Sequence, residues 1–95
     1  MYILVCSDGS YYVGSTTDLS SRLAQHQIGL GSNFTRNHLP VKLIYHEEFQ
    51  RIEDAFQREK QIQGWSRKKK EALMKRQKEE LIKLARNYTE YGVPD

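Results

Sequence analysis

"YILVCSDGSYYVG", residues 2–14, decides the fold. Residues 2–5 are a continuous apolar run, which reads as a buried strand. Asp8-Gly9 is a hairpin dipeptide, because glycine accepts the positive φ that such turns require. Residues 11–14 then return as a second, antiparallel strand. Tyr2 and Tyr12 therefore stand on paired strands, where their side chains can emerge near each other. Strand tyrosines are usually packing residues, so the pair alone decides nothing about function.

Working outward, Thr17 or Asp18 caps a helix that runs to about residue 28, with Leu19 and Leu23 on its inner face. Arg22 and His26 lie one turn apart on that helix and border its apolar face. The glycine-punctuated "GLGSNFTRNHLP", residues 29–40, reads as a loop. "VKLIYHEEF", residues 41–49, supplies a third strand whose core is 41–45. A second helix covers about 51–63 and Gly64 ends it. Ser66 caps a third, running to about residue 87, with an apolar stripe through Leu73, Leu81, Ile82 and Ala85. The last stretch, "YTEYGVPD", is a tail able to dock through Tyr88 and Tyr91. The order ββαβαα predicts an α+β fold, a small three-stranded antiparallel sheet with helices packed against it. Residues 1–87 are expected to form a single domain, followed by the tail 88–95.

Composition narrows the function classes. The 95 residues are enough for one domain and too few for two. With 38% hydrophobic and 28% charged residues, the chain is expected to fold rather than stay disordered. No apolar run approaches the roughly 20 residues a membrane helix needs. The first residues do not read as a signal peptide, so a cytoplasmic protein is expected. A single cysteine, Cys6, excludes an internal disulfide and a cysteine-rich metal site; its apolar surroundings in sequence point to a buried, inert thiol. The net charge of +3 is unevenly spread. "SRKKKEALMKR", residues 66–76, holds six cations and one acid, whereas "HEEFQRIED", residues 46–54, is acidic. Such a basic segment is a footprint of nucleic-acid binding, and equally of a plain solvated helix.

The second helix carries an anomaly. Ile52, Ala55, Phe56, Glu59 and Ile62 follow the spacing of one buried helix face, yet Glu59 is a carboxylate. An unpaired buried charge is very costly, so Glu59 must reach an edge, pair with a cation such as an Arg, or bind a metal. Arg22 has the fixed donor fork and permanent charge that suit a phosphate. His26 can hydrogen-bond or move a proton near neutral pH.

Taken in order, these residues resemble the GIY-YIG nuclease family. "MYI" supplies the tyrosine of the first motif, Tyr2, and "YVG" (Tyr12, Val13, Gly14) matches the second. Arg22 in "LSSRL" matches the family arginine, and His26 falls where members carry a His or a Tyr. Glu59 in "AFQREKQI" matches the metal-binding glutamate. The resemblance covers roughly residues 1–73. It is closest to the small stand-alone bacterial, UPF0213-like members, through the stretches at 29–36, 40–45 and 66–73. Of the first motif only the tyrosine is matched. Ser15 stands where some relatives have a lysine, so no lysine here is expected to activate a tyrosine.

The resemblance implies an endonuclease that hydrolyses phosphodiesters, in DNA before RNA, with a place in DNA repair or recombination. Glu59 would hold one divalent ion, Mg2+ or Mn2+, and Arg22 would grip the phosphate. Tyr2 or Tyr12 would orient the attacking water and take its proton. A free tyrosine, with a pKa about 10, is a poor base at neutral pH unless His26, Arg22 or the ion assists. Thr35, Arg36, Arg67, Lys68, Lys69 and Lys70 are expected to contact the nucleic-acid backbone. No nucleotide cofactor and no membrane are implied. The rival reading is a nucleic-acid-binding module of the same fold without catalysis, which would not need Glu59.

Overall fold

Two backbone hydrogen bonds, Cys6 N–H to the Ser10 carbonyl and Gly9 N–H to the Cys6 carbonyl, close the opening hairpin. Gly9 adopts a φ of 85°, and the Asp8 carboxylate accepts from both the backbone and the hydroxyl of Ser10. The turn thus forms for the reason its dipeptide predicts. The structure, a computed structural model, describes the backbone of residues 1–90 and the side chains of residues 1–79. By its internal contacts the chain divides after Trp65 into two units.

The first unit is built on a three-stranded antiparallel sheet. Its strands are β1 (Tyr2–Val5), β2 (Tyr11–Gly14) and β3 (Lys42–His46), in the order β2-β1-β3. β1 is the central strand, which explains why Tyr2, Ile3 and Leu4 are all buried although a strand shows alternate residues to opposite faces. In the β1–β2 register Tyr2 pairs with Gly14 and Leu4 with Tyr12, so Tyr2 and Tyr12 share a face.

Helix α1 (Leu19–Gln27) covers that face. Tyr2, Leu4, Cys6 and Val41 form its buried centre, with Tyr12, Leu19, Leu23, Leu39 and Leu43 packed around them. Asp18 is the cap, its carboxylate accepting from the Ser21 backbone. At the other end Gly29, with a φ of 87°, closes a Schellman motif: Leu30 N–H reaches the Gln25 carbonyl and Gly29 N–H the His26 carbonyl. The stretch read as a plain loop contains one helical turn, α2 (Asn33–Arg36), capped by Ser32. Four residues are too few to show a periodic apolar pattern, so only the Ser32 cap could have announced it.

Helix α3 (Ile52–Gln63) lies against β2 on the opposite face, the one that carries Ile3, Val13 and Tyr45. Its buried row is Ala55, Glu59 and Ile62; Ile52 and Phe56, expected in the same row, are 40% and 50% exposed. A three-stranded sheet is narrow, so it covers one row of helix positions instead of two. The free side of the Phe56 ring carries the Lys60 ammonium, 4.9 Å from its centroid.

The second unit is described through α4 (Arg67–Glu90), whose first turn Ser66 caps through the Lys69 backbone. The helix continues three residues beyond the predicted end at 87. The side chains of Leu81, Ile82, Ala85 and Tyr88, and the segment holding Tyr91, lie outside the described residues. Among the described residues no helix is long and apolar enough to cross a membrane.

Candidate active site

Two elements of the first unit converge on the Tyr2 ring. From β2, Tyr12 brings its ring to 6.3 Å between centroids. From α1, His26 packs edge-on to both phenols, at 5.7 Å from Tyr2 and 5.1 Å from Tyr12. The Tyr2 hydroxyl lies 2.8 Å from Nε2 of His26. Gly14, across the sheet from Tyr2, makes room: a Cβ there would meet the Tyr2 hydroxyl at 2.5 Å. The glycine of "YVG" is therefore a requirement of the ring that lies over it.

His26 borders the core in the sequence reading; in the fold it is completely buried. Its second nitrogen, Nδ1, lies 2.9 Å from the Thr35 hydroxyl, which also approaches the Ser32 hydroxyl and carbonyl. Gly31 packs flat on the imidazole, where a Cβ would come within 2.0 Å of Nδ1. Burial and the nearby Arg22 charge both hold the His26 pKa below the ordinary imidazole value, so the ring is neutral at pH 7.

Arg22 spends one guanidinium nitrogen on the Gly31 carbonyl at 2.7 Å and another on Gln25 at 3.0 Å. The guanidinium lies within hydrogen-bonding reach of the Tyr2 and Tyr12 hydroxyls, which raises its own pKa. Burial pushes the Tyr2 phenol up; Arg22 pulls it down, while Tyr12 and Glu59 add to the push. Two opposing influences thus meet on one phenol, the pattern of a group whose proton is under local control.

Glu59, on α3, is near enough for its charge to add to the upward push on the Tyr2 phenol. The carboxylate is nine-tenths buried. One oxygen accepts from the Ser15 hydroxyl at 2.7 Å and the other from the Gln63 amide at 2.9 Å, which also donates to the Val13 carbonyl. The Lys60 ammonium forms an ion pair with the carboxylate at 3.8 Å. Its neighbour Arg58 is instead engaged by Glu47 through two nitrogens, at 2.9 and 3.2 Å. A cleft of about 350 Å³ opens beside Tyr2, walled by Thr16, Leu19, Ile52 and Ala55 among others.

The fold thus brings Tyr2, Tyr12, Arg22 and His26 to one place, while Glu59 stands on α3 with Ser15, Gln63 and Lys60 as its partners. Thr35, marked by sequence as a backbone contact, is instead fully buried with its hydroxyl on His26, so it has no surface to offer a ligand. Arg36 is exposed beside it and bonds Asn33 at 3.1 Å. Arg67, Lys68 and Lys69 are exposed on the first turn of α4, in the other unit, with Arg67 3.7 Å from Glu71. Cys6 is buried and its thiol pKa is raised by that burial, the expected inert state. Sequence reading missed Gly31, Ser32 and Gln63 and assigned Ser15 no part. Ser32 carried the signal of a helix cap and Gln63 its i+4 spacing from Glu59.

A phenol pair, a neutral imidazole and a guanidinium gathered on one face of a small sheet are groups able to move a proton beside an anion. That combination has a family. The sequence profile of the GIY-YIG catalytic domain matches residues 1–72, and the chain belongs to this family of endonucleases, whose substrates are nucleic acids. Among its relatives, a UPF0213 protein of Bacillus pumilus is 47% identical over 70 residues, 74% of this chain and 71% of that one. A UPF0213 protein of Halobacterium salinarum is 45% identical over 73 residues, 77% of this chain and 95% of the other. The solution NMR structure of a UPF0213 protein from Bacillus halodurans is 40% identical and superimposes with a TM-score of 0.51, covering 78% of this chain and 79% of that one. The three-stranded α+β architecture is the fold of that structure.

Proposed function

We propose that this chain is a metal-dependent endonuclease that hydrolyses phosphodiester bonds in DNA, with structure or single-strandedness guiding it more than sequence. The observation that carries this reading is the convergence of Tyr2, Tyr12, Arg22 and His26 on one face of the sheet, with the charge of Glu59 near enough to bear on the Tyr2 phenol.

Glu59 fits the role of ion ligand. Its two oxygens rest on neutral donors, Ser15 and Gln63, and the exposed Lys60 ammonium 3.8 Å away is a weak, solvent-screened partner, so the carboxylate is oriented and keeps most of its charge for an ion. Among the described residues no group of three or more His, Cys, Asp or Glu gathers into a cage. A single carboxylate suits a hard ion that keeps most of its waters, Mg2+ or Mn2+, and does not suit zinc. When bound, such an ion neutralises charge on the scissile phosphate and the leaving oxygen.

The chain's own groups supply the remaining chemistry. Arg22 binds the phosphate and stabilises the negative charge that builds on it during attack. Tyr2 orients the attacking water and takes its proton while the phenol's own proton passes to Nε2 of His26. The phenol is thereby restored, the water has become the new phosphate oxygen, and the imidazole carries the proton. This route answers the weakness of an isolated phenol as a base, because the acceptor is a neutral imidazole. Tyr12 flanks both rings and fixes their tilt. Arg36, Arg67, Lys68 and Lys69 attract the backbone without reading bases.

The test is incubation of the protein with nicked, branched and single-stranded DNA in Mg2+, Mn2+ or EDTA. Cleavage that needs the ion and vanishes in Glu59→Ala is expected. Binding without cleavage under every condition would overturn the reading in favour of a non-catalytic binding module.

A further inference from the structure

The hydrogen bonds that meet at His26 extend past it, into a turn that no catalytic role has claimed. His26 and Thr35 are completely buried and Tyr2 is 1% exposed, so solvent does not compete for the imidazole nitrogens. The contacts run in line: Tyr2 hydroxyl to Nε2 at 2.8 Å, Nδ1 to the Thr35 hydroxyl at 2.9 Å, and that hydroxyl to the Ser32 carbonyl at 3.3 Å. Each member of this chain can both donate and accept, so the pairings alone allow two directions.

The far end removes that freedom. There stands the Ser32 carbonyl, which can only accept, and it takes the Thr35 proton. Thr35 must then accept from Nδ1, which leaves Nε2 to accept from the Tyr2 phenol. The remaining lone pair of Thr35 takes the Ser32 hydroxyl at 2.9 Å, while the Ser32 oxygen accepts from the Thr35 backbone at 3.1 Å. The Ser32 carbonyl takes the Arg36 N–H at 3.0 Å on its other lone pair. The groups facing the imidazole are Tyr2 from β1, Tyr12 from β2, Arg22 from its own helix and Thr35 from α2. None of them competes for Nδ1 except Thr35.

We propose that Thr35, seated by Ser32, is a positioning residue that locks His26 in the tautomer protonated on Nδ1, leaving Nε2 as the acceptor for the Tyr2 proton. The single turn α2 exists to deliver this hydroxyl, and Gly31 leaves the space for the imidazole to meet it. The kinetic consequence rests on the nuclease reading; the tautomer itself does not.

The experiment is ring 15N NMR of the full-length protein at pH 7.5, on wild type, Thr35→Ser and Thr35→Val, with single-turnover cleavage of the best DNA substrate alongside. Wild type and Thr35→Ser are expected to show His26 protonated on Nδ1. Thr35→Val, which offers no acceptor, is expected to move the proton to Nε2. Its cleavage constant should fall by about 10- to 100-fold at unchanged KM, with the serine variant within about 3-fold of wild type. A wild-type His26 protonated on Nε2 would overturn the inference without any variant, as would a valine variant that keeps the Nδ1 proton. Should Thr35→Val fail to fold, Ser32→Ala tests the same seat: it keeps the carbonyl that takes the Thr35 proton, so the Nδ1–H signal is expected to persist, and a proton moved to Nε2 there counts against the proposal. If the tautomers behave as stated while no variant cleaves any DNA, the nuclease reading falls and the positioning role stands.

Discussion

Gly14 faces Tyr2 across the β1–β2 ladder so closely that a methyl group at Gly14 would sit 2.5 Å from the phenol oxygen and 2.6 Å from the carbon that bears it. The same oxygen is held by His26 on its other side. The ring cannot retreat without breaking that bond. Gly14→Ala is therefore expected to destabilise the fold by about 1–3 kcal/mol and to abolish the Tyr2–His26 hydrogen bond. Urea melts and the His26 ring signals would report the two effects separately. A variant as stable as wild type with an unchanged His26 spectrum would refute the argument.

His26 gives the fold a dependence on pH with a definite sign. Its folded pKa lies below the ordinary value of 6.5, chiefly because of burial and secondarily because of Arg22. The unfolded chain therefore binds a proton at a higher pH than the folded one. Stability is fully present above about pH 6.5 and declines as the pH falls toward the depressed folded value. The carboxylate Glu47 is also depressed, but from 4.5, so its loss comes at lower pH. Unfolding free energies measured between pH 7.5 and 5 are expected to fall, and His26→Gln is expected to flatten that slope. A wild-type profile flat over the same interval would exclude a neutral buried imidazole.

The second network on α3 is structural and should behave differently. Arg58 forks onto Glu47, whose other partner is the Tyr45 hydroxyl, and the Arg58 plane lies 5.2 Å from the Trp65 ring centroid. The carboxylate and guanidinium are 21% and 25% exposed, so solvent screens the pair only in part. Arg58→Ala leaves a half-buried carboxylate without its cation and is expected to cost about 1–3 kcal/mol. Because Glu47 rather than Glu59 loses its partner, the Mg2+ dependence of cleavage should be unchanged. A shift in that dependence would mean that Arg58 reaches the catalytic carboxylate after all.

These contrasts explain what was legible in the sequence. The hairpin, the caps and the helix ends follow from local chemistry, so Gly9, Asp18, Gly29 and Ser66 announce themselves. Tyr2, Tyr12, Arg22, His26 and Glu59 were legible as a set because their order and spacing match a family, not because any of them is unusual alone. Glu59 comes nearest to an exception, since a carboxylate in an apolar row already demands a partner. What stayed hidden depends on meetings between distant segments. Gly31 looks like loop punctuation until the His26 ring is laid against it. Thr35 looks like a surface threonine until α2 turns it inward. Ile52 and Phe56 look like core until the narrowness of the sheet is known.

The last prediction concerns how Glu59 is aimed. Ser15 and Gln63 each donate to one carboxylate oxygen, and Gln63 ties the helix to the Val13 carbonyl of β2. Neither donor neutralises the charge, so both serve orientation. Glu59→Gln removes a buried charge while keeping an acceptor for one of the two donors, and its stability is expected to stay within about 1 kcal/mol of wild type or rise slightly. Cleavage should nevertheless be lost, together with the Mn2+-induced broadening of the Ser15 amide signal. Ser15→Ala and Gln63→Ala retain the carboxylate and free it to rotate. Their half-saturating Mg2+ concentrations are expected to rise about 10- to 100-fold, as removal of outer-shell partners does at other metal sites. Equal Mg2+ dependence in wild type and both variants would mean that the ion, if one binds, is held elsewhere, and that Glu59 is buried for packing alone.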